Sequence, residues 1–152
     1  MARFPVKVKY AIMGAIELAA HFGSNPMQAK LIAQRQGIPH RFIEHILHAM
    51  KQAGLLTSHR GAQGGYSLAR PPASISLADI VQAVGGIHQE AAAHPAPLNG
   101  EWQPRNVMEI LLSEIQQQLR EAELEILRSI SLQALVDRYR QAEAVEALMF
   151  HI

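Results

Sequence analysis

His40-Arg41-Phe42-Ile43-Glu44-His45 sets four hydrogen-bonding side chains within six residues, interleaved with two apolar ones. On a helix, such a run turns its polar members outward along one edge. Arg41 there can grip a phosphate or the edge of a guanine, and His40 and His45 can donate to phosphates or bases. Glu44 can accept a hydrogen bond from a cytosine amino group. An acid facing a polyanion is repelled, so in that setting Glu44 needs a specific task. Equally, Glu44 pairs with Arg41 or His48 on a solvated helix face, and the sequence leaves both readings open.

A second cluster follows at residues 60–70, Arg-Gly-Ala-Gln-Gly-Gly-Tyr-Ser-Leu-Ala-Arg. Gly61, Gly64 and Gly65 permit positive φ and a tight reversal. The flanks, Leu55–His59 and Tyr66–Leu68, alternate as short strands do. The expected product is a β-hairpin with Arg60 at its tip, able to enter a minor groove where negative potential is concentrated. Gly61, Gly64, Gly65 and Tyr66 accompany it, and Pro39 stands just before the polar helix edge. Lys7, Lys9, Tyr10 and Gln28 are candidate contacts to a phosphate backbone.

Charge supports a polyanion for this half of the chain. The net charge of the 152 residues is +1, yet residues 1–72 hold nine Lys or Arg against two acids, Glu17 and Glu44. Residues 73–152 hold five against eleven. The first half therefore stands at +7 and the second at −6, so the field that attracts nucleic acid belongs to the first half only.

Elements to carry these clusters are legible in the apolar spacing. Val8, Ala11, Ile12, Ala15, Ile16, Ala19 and Phe22 form one helical stripe over residues 5–22. A short helix over 27–36 turns Leu31, Ile32 and Ala33 inward and ends at Gly37. Pro39 suits the first turn of a third helix, which presents Phe42, Ile43, Ile46, Leu47 and Met50 as its apolar face and stops at Gly54. After the hairpin, Ser76-Leu77-Ala78-Asp79 resembles a capping box opening a helix to Val84. Residues 105–128 form the longest helix, in which Met108, Leu112, Ile115, Leu119, Ala122 and Ile126 are spaced 4, 3, 4, 3, 4. That heptad seam suits packing on a twin helix in a dimer. Ser131 caps a last helix over about 132–148. The fold class is mainly α with a small β-hairpin, a winged helix-turn-helix with a long dimerisation helix. Residues 1–86 form the DNA-binding domain, 87–103 a loop, and 104–152 the dimerisation and C-terminal helices.

Cysteine is absent, which removes disulfides, thiolate nucleophiles and cysteinyl iron–sulfur clusters. His88, Glu90 and His94 sit in the 87–103 loop without the spacing of a preformed metal site, so no cofactor is assigned. No phosphate loop, catalytic triad or carboxylate pair is present, so an enzyme is not expected. No apolar run spans a bilayer and no secretory leader is evident, so a cytoplasmic protein is expected.

Val8-Lys9-Tyr10-Ala11, Ala33-Gln34-Arg35-Gln36-Gly37-Ile38, Arg60-Gly61 with Gly64-Gly65-Tyr66-Ser67-Leu68-Ala69-Arg70, and Leu77-Ala78-Asp79-Ile80-Val81 resemble the Rrf-two (Rrf2) family of bacterial transcriptional regulators. The resemblance runs from about residue 4 to 86 and resumes at Ile130–Val136. It implies a homodimer on an imperfectly palindromic operator, acting as a repressor. Glu44 falls where IscR-like members read a cytosine, and Arg60 where their wing reaches the minor groove. Many members hold a cluster through three cysteines in the loop that is here 87–103. A cluster-free member senses its signal otherwise, through a regulatory protein or a small-molecule effector. The competing reading is a winged protein-interaction or small-molecule-sensing module that does not bind DNA directly.

Overall fold

The computed structural model describes residues 4–86 and 106–151. Helix α1, Val6–Ala20, follows Pro5 and buries Val8, Ala11, Gly14, Ala15, Leu18 and Ala19. Its small residues let the neighbouring helices come close: a methyl group added at Gly14 would already touch Ile43 at 3.4 Å and Ile32 at 4.0 Å. Helices α2, Ala29–Gln36, and α3, His40–Gln52, pack against that surface. Between them Gly37 adopts the left-handed conformation at φ 66°, and Ile38 N–H closes back on the Ala33 carbonyl at 2.9 Å. This is a Schellman-type stop whose following apolar residue, Ile38, is buried. The short turn fixes α3 against α2 and α1.

Strands β1, Leu56–His59, and β2, Gly65–Leu68, pair antiparallel, with Leu56 opposite Leu68 and His59 opposite Gly65. A third piece of chain joins them. Met27 N–H donates to the Tyr66 carbonyl at 2.9 Å, and Tyr66 N–H donates to the Met27 carbonyl at 2.7 Å. The segment entering α2 is thereby stitched to the hairpin. Gly65, at φ 144°, makes this possible: any Cβ there would collide with the Met27 carbonyl, and one at Gly64 would collide with the His59 carbonyl.

A single 3-10 turn, Pro72–Ser74, leads to α4, Leu77–Ala83, which opens with the expected capping box. Asp79 N–H donates to Ser76 Oγ, and Ser76 N–H donates to Asp79 Oδ2. Helix α5, Val107–Ser129, is capped by Asn106, and α6, Leu132–Phe150, by Ser131. The starts of α4 and α6 are knitted together: Leu77 N–H donates to the Ile130 carbonyl and Leu132 N–H to the Ile75 carbonyl, both at 2.8 Å. Leu127, Leu132 and Val136 accordingly join one core with Ile32, Ile43, Ile46, Leu47, Met50, Ile75 and Ile80.

Three expected core residues lie outside. Phe22 is 47% exposed because α1 ends at Ala20, and Leu31 is 44% exposed. Leu31, Ile32 and Ala33 are consecutive, and residues 100° apart around a helix cannot all face one core. Phe42 is exposed at 41% beside the buried Ile43 for the same reason. Helix α2 begins at Ala29 rather than 27 because Met27 has committed its backbone to Tyr66. Pro39 is the N-cap of α3 rather than a residue of its first turn.

Two substitutions test this construction. Leu132→Ala removes a fully buried side chain and is expected to cost about 2–5 kcal/mol in chemical denaturation; an unchanged midpoint would mean that α6 is not part of the core. Gly65→Ala is expected to unpair the hairpin from Met27, read as loss of amide protection at Met27 and Tyr66 while the α-helical signal persists.

Candidate nucleic-acid interface

Helix α3 buries Ile43, Ile46, Leu47 and Met50 and leaves His40, Arg41, Glu44, His45 and His48 exposed. Period 3.6 thus separates a core stripe from a polar stripe with no residue shared between them. On the outer stripe the Arg41 guanidinium lies 5.1 Å from the Phe42 ring centroid, and the Phe42 ring meets Tyr10 of α1 at 6.0 Å, tilted by 53°. Phe42, half out of the core, therefore works as a shelf. Tyr10 steadies the ring, and the ring holds the Arg41 cation by cation–π attraction. Neighbouring Lys7 and Lys9 of α1 are exposed, and Tyr10 is half-buried.

Glu44 pairs with His40, whose Nε2 lies 3.7 Å from Oε1, and not with Arg41 or His48. Both side chains are more than half exposed. A pair of this kind is weak and easily exchanged for another partner, so the carboxylate stays available outward.

The hairpin carries Arg60 and Gly61 exposed at its tip, whereas Gly64 is buried and Gly65 and Tyr66 are half-buried. Gly64 and Gly65 serve by allowing close backbone approach, and Tyr66 packs onto the core while its backbone holds Met27. Gln28 is exposed at the start of α2 with its side chain uninvolved in capping. Pro39 is exposed at the head of α3. The structure thus brings the α3 edge and the start of α2 onto one helix-turn-helix, joined through Met27 to the hairpin.

Two groups escaped the sequence reading. His59 Nε2 and Thr57 Oγ1 each lie 3.0 Å from Ser67 Oγ, forming a small polar cluster on one hairpin face. The period-2 alternation of Thr57 and His59 and the register opposite Ser67 carry that signal. The other is Glu17, the sole buried charged residue among those described; an acid set within the apolar stripe of α1 is the mark that could have found it.

Along α5 the heptad residues Met108, Leu112, Ile115, Leu119 and Ile126 are 52–62% exposed, and Ala122 is exposed as well. Val107, Ile110 and Leu111 extend this apolar surface. His88, Glu90 and His94 lie outside the described residues. Among the described residues no group of three or more His, Asp or Glu is placed to hold a metal, and no helix is long and apolar enough to cross a membrane.

Comparison with known proteins identifies the family. A family model described as Rrf2, iron-dependent transcriptional regulator, matches residues 4–138. An HTH-type transcriptional regulator of Synechocystis, slr0846, is 32% identical over 145 residues, 95% of this chain and 92% of that protein. HTH-type transcriptional regulator CymR of Bacillus subtilis is 31% identical over 150 residues, 99% of each chain. The solved structure of T. potens IscR superimposes with a TM-score of 0.70 at 28% identity, covering 92% of this chain and 90% of that one. The chain has no cysteine, and so no thiolate to hold a cysteinyl iron–sulfur cluster. The match over nearly the whole chain, with the same winged architecture, establishes that the chain belongs to the Rrf2 family of DNA-binding winged helix-turn-helix transcriptional regulators and is not an enzyme.

Proposed function

We propose that the chain acts as a homodimeric repressor that binds a palindromic operator through α3 and the hairpin wing, without a cysteinyl iron–sulfur cluster. The observation that carries this reading is the pairing of two unsatisfied surfaces at opposite poles of charge. The basic half presents the Arg41 and Glu44 edge and the Arg60 tip. The acidic half presents an uncovered apolar face on a 23-residue helix, about 34 Å long by its rise per residue. A second copy covers that face and sets two heads side by side, as two half-sites require.

In this arrangement the N-terminal edge of α3 enters the major groove. Arg41 contacts a guanine edge or a phosphate, Glu44 accepts from a cytosine amino group, and His40 and His45 donate to phosphates or bases. Arg60, with Gly61 leaving the backbone free to approach, reaches the adjacent minor groove. Lys7, Lys9, Tyr10 and Gln28 hold the backbone and fix register. Two heads clamped on one duplex keep polymerase from it, which is the simplest route to repression.

Duplexes selected from a random pool test the reading. Affinity is expected to fall steeply with salt, each neutralised phosphate adding about 0.9 to the slope of log K against log salt. Arg60→Ala should weaken binding across all sequences. Glu44→Ala should instead relax discrimination at one base position, worth about 1–3 kcal/mol; unchanged relative affinities for single-base operator variants would sink its readout role. Leu119→Asp, in the middle of the α5 seam, should shift sedimentation equilibrium from dimer to monomer. Absence of duplex binding at low salt would remove the DNA-reading proposal altogether.

A further inference from the structure

Glu17 lies on the buried side of α1 at 6% exposure. Its Oε1 accepts from Gln36 Nε2 at 2.5 Å. Its Oε2 has no hydrogen-bond partner; Arg35 Nη1 approaches it to 3.7 Å and His21 Nδ1 to 3.8 Å. The neighbouring contacts fit one histidine tautomer. His21 Nδ1–H donates to the Glu17 carbonyl at 2.9 Å, which leaves Nε2 to accept from Arg35 Nη1 at 3.2 Å. A buried carboxylate held this incompletely is costly to maintain unless its neighbours are fixed around it.

Those neighbours belong to three helices. Glu17 and His21 come from α1 and its end, and Arg35 and Gln36 from the last turn of α2, directly before the Gly37 turn that aims α3. The third is α6. Tyr139 stands beside Glu143 and Gln36, and Glu143 together with burial holds the phenol above its ordinary range. Gln36 Nε2 carries two hydrogens, which allows it to serve Glu17 and Tyr139 at once. One turn along, Arg140 Nη2 donates to the Ala20 carbonyl at the end of α1, at 2.9 Å.

We propose that Glu17, Gln36 and Tyr139 form a junction that sets the angle of the helix-turn-helix against α6, so that they are positioning residues for operator binding although none belongs to the DNA-facing edge. Helix α6 follows directly on α5, so a change in the α5–α6 arm reaches α2 through Tyr139 and Gln36, and α3 through the Gly37 turn. The proposal rests on the operator-binding reading, which the unsubstituted protein checks in the same titration.

The test uses the full chain and its selected operator, with Tyr139→Phe as the first variant because it removes one hydroxyl and little volume. Glu17→Gln and the double variant complete a cycle. Operator affinity should fall roughly 2- to 30-fold for Tyr139→Phe, the range for couplings carried through packed networks. The melting temperature and the slope of log affinity against log salt should stay as they were, since no phosphate contact is lost. The two substitutions should be non-additive in affinity, and Glu17→Asp should restore part of what Glu17→Gln loses. Unchanged operator affinity in Tyr139→Phe overturns the proposal. So does a loss of binding that tracks loss of folded protein, because the residues are then only structural. If Glu17→Gln does not fold, Tyr139→Phe paired with Gln36→Leu takes its place in the cycle, with the same two outcomes. If the unsubstituted protein binds no duplex, the operator reading itself has failed.

Discussion

Met27 and Tyr66 exchange two backbone hydrogen bonds, and the placement of the hairpin against the helix-turn-helix hangs on that exchange. One partner is the residue before the helix-turn-helix and the other is the first full side chain of the returning strand. Their pairing converts a two-stranded hairpin, which alone would be marginal in water, into a ribbon anchored on the core. It also fixes the separation between the exposed edge of α3 and Arg60. The constraint is steric as much as polar, because only a residue without Cβ fits at Gly65 beside the Met27 carbonyl. The glycine cluster that reads in sequence as freedom to turn is, in the folded protein, a site of close approach.

A second pair of backbone bonds does for the C-terminal half what the first does for the wing. Leu77 to Ile130 and Leu132 to Ile75 join the starts of α4 and α6 immediately beside their two serine caps. Each serine satisfies an N–H of its own helix while the flanking backbone crosses to the other. Helices α5 and α6 are thus rooted in the core through Leu127, Leu132 and Val136, while α5 leaves a row of apolar residues uncovered. Glu17 sits where α1, α2 and α6 meet, and it is the one place in the described core where a charge interrupts apolar packing.

Much of this was legible beforehand. Helix order, the hairpin, the capping box at Ser76 and the cap at Ser131 follow from local chemistry, since caps, glycine stops and apolar periods act within a few residues. The misplaced residues have two causes. Leu31 and Phe42 are apolar, but a helix of fixed phase has room on its core side for only some of its apolar residues, whereas Phe22 continues the stripe of α1 beyond Ala20, where the helix ends. Phe42 is the instructive case: it leaves the core to become the shelf between Tyr10 and Arg41, a role that depends on a residue thirty-two positions away. Glu44 differs in kind, for its partner is His40, one turn back on the same helix, rather than Arg41 or His48.

What the sequence determined by itself is the set of elements, the division of charge between the halves, the absence of thiolate chemistry, and the residues offered outward by α3 and the hairpin tip. Each of these is a property of local spacing or of composition. Only the tertiary structure decided that Met27 forms a third edge of the wing, that α4 and α6 start from one joint, and that Glu17 is enclosed by Arg35 and Gln36 with Tyr139 beside that same Gln36. These contacts join residues far apart along the chain, and no local period records them. They exist because the core brings the segments together and buried polar groups must then find partners among whatever neighbours that packing supplies.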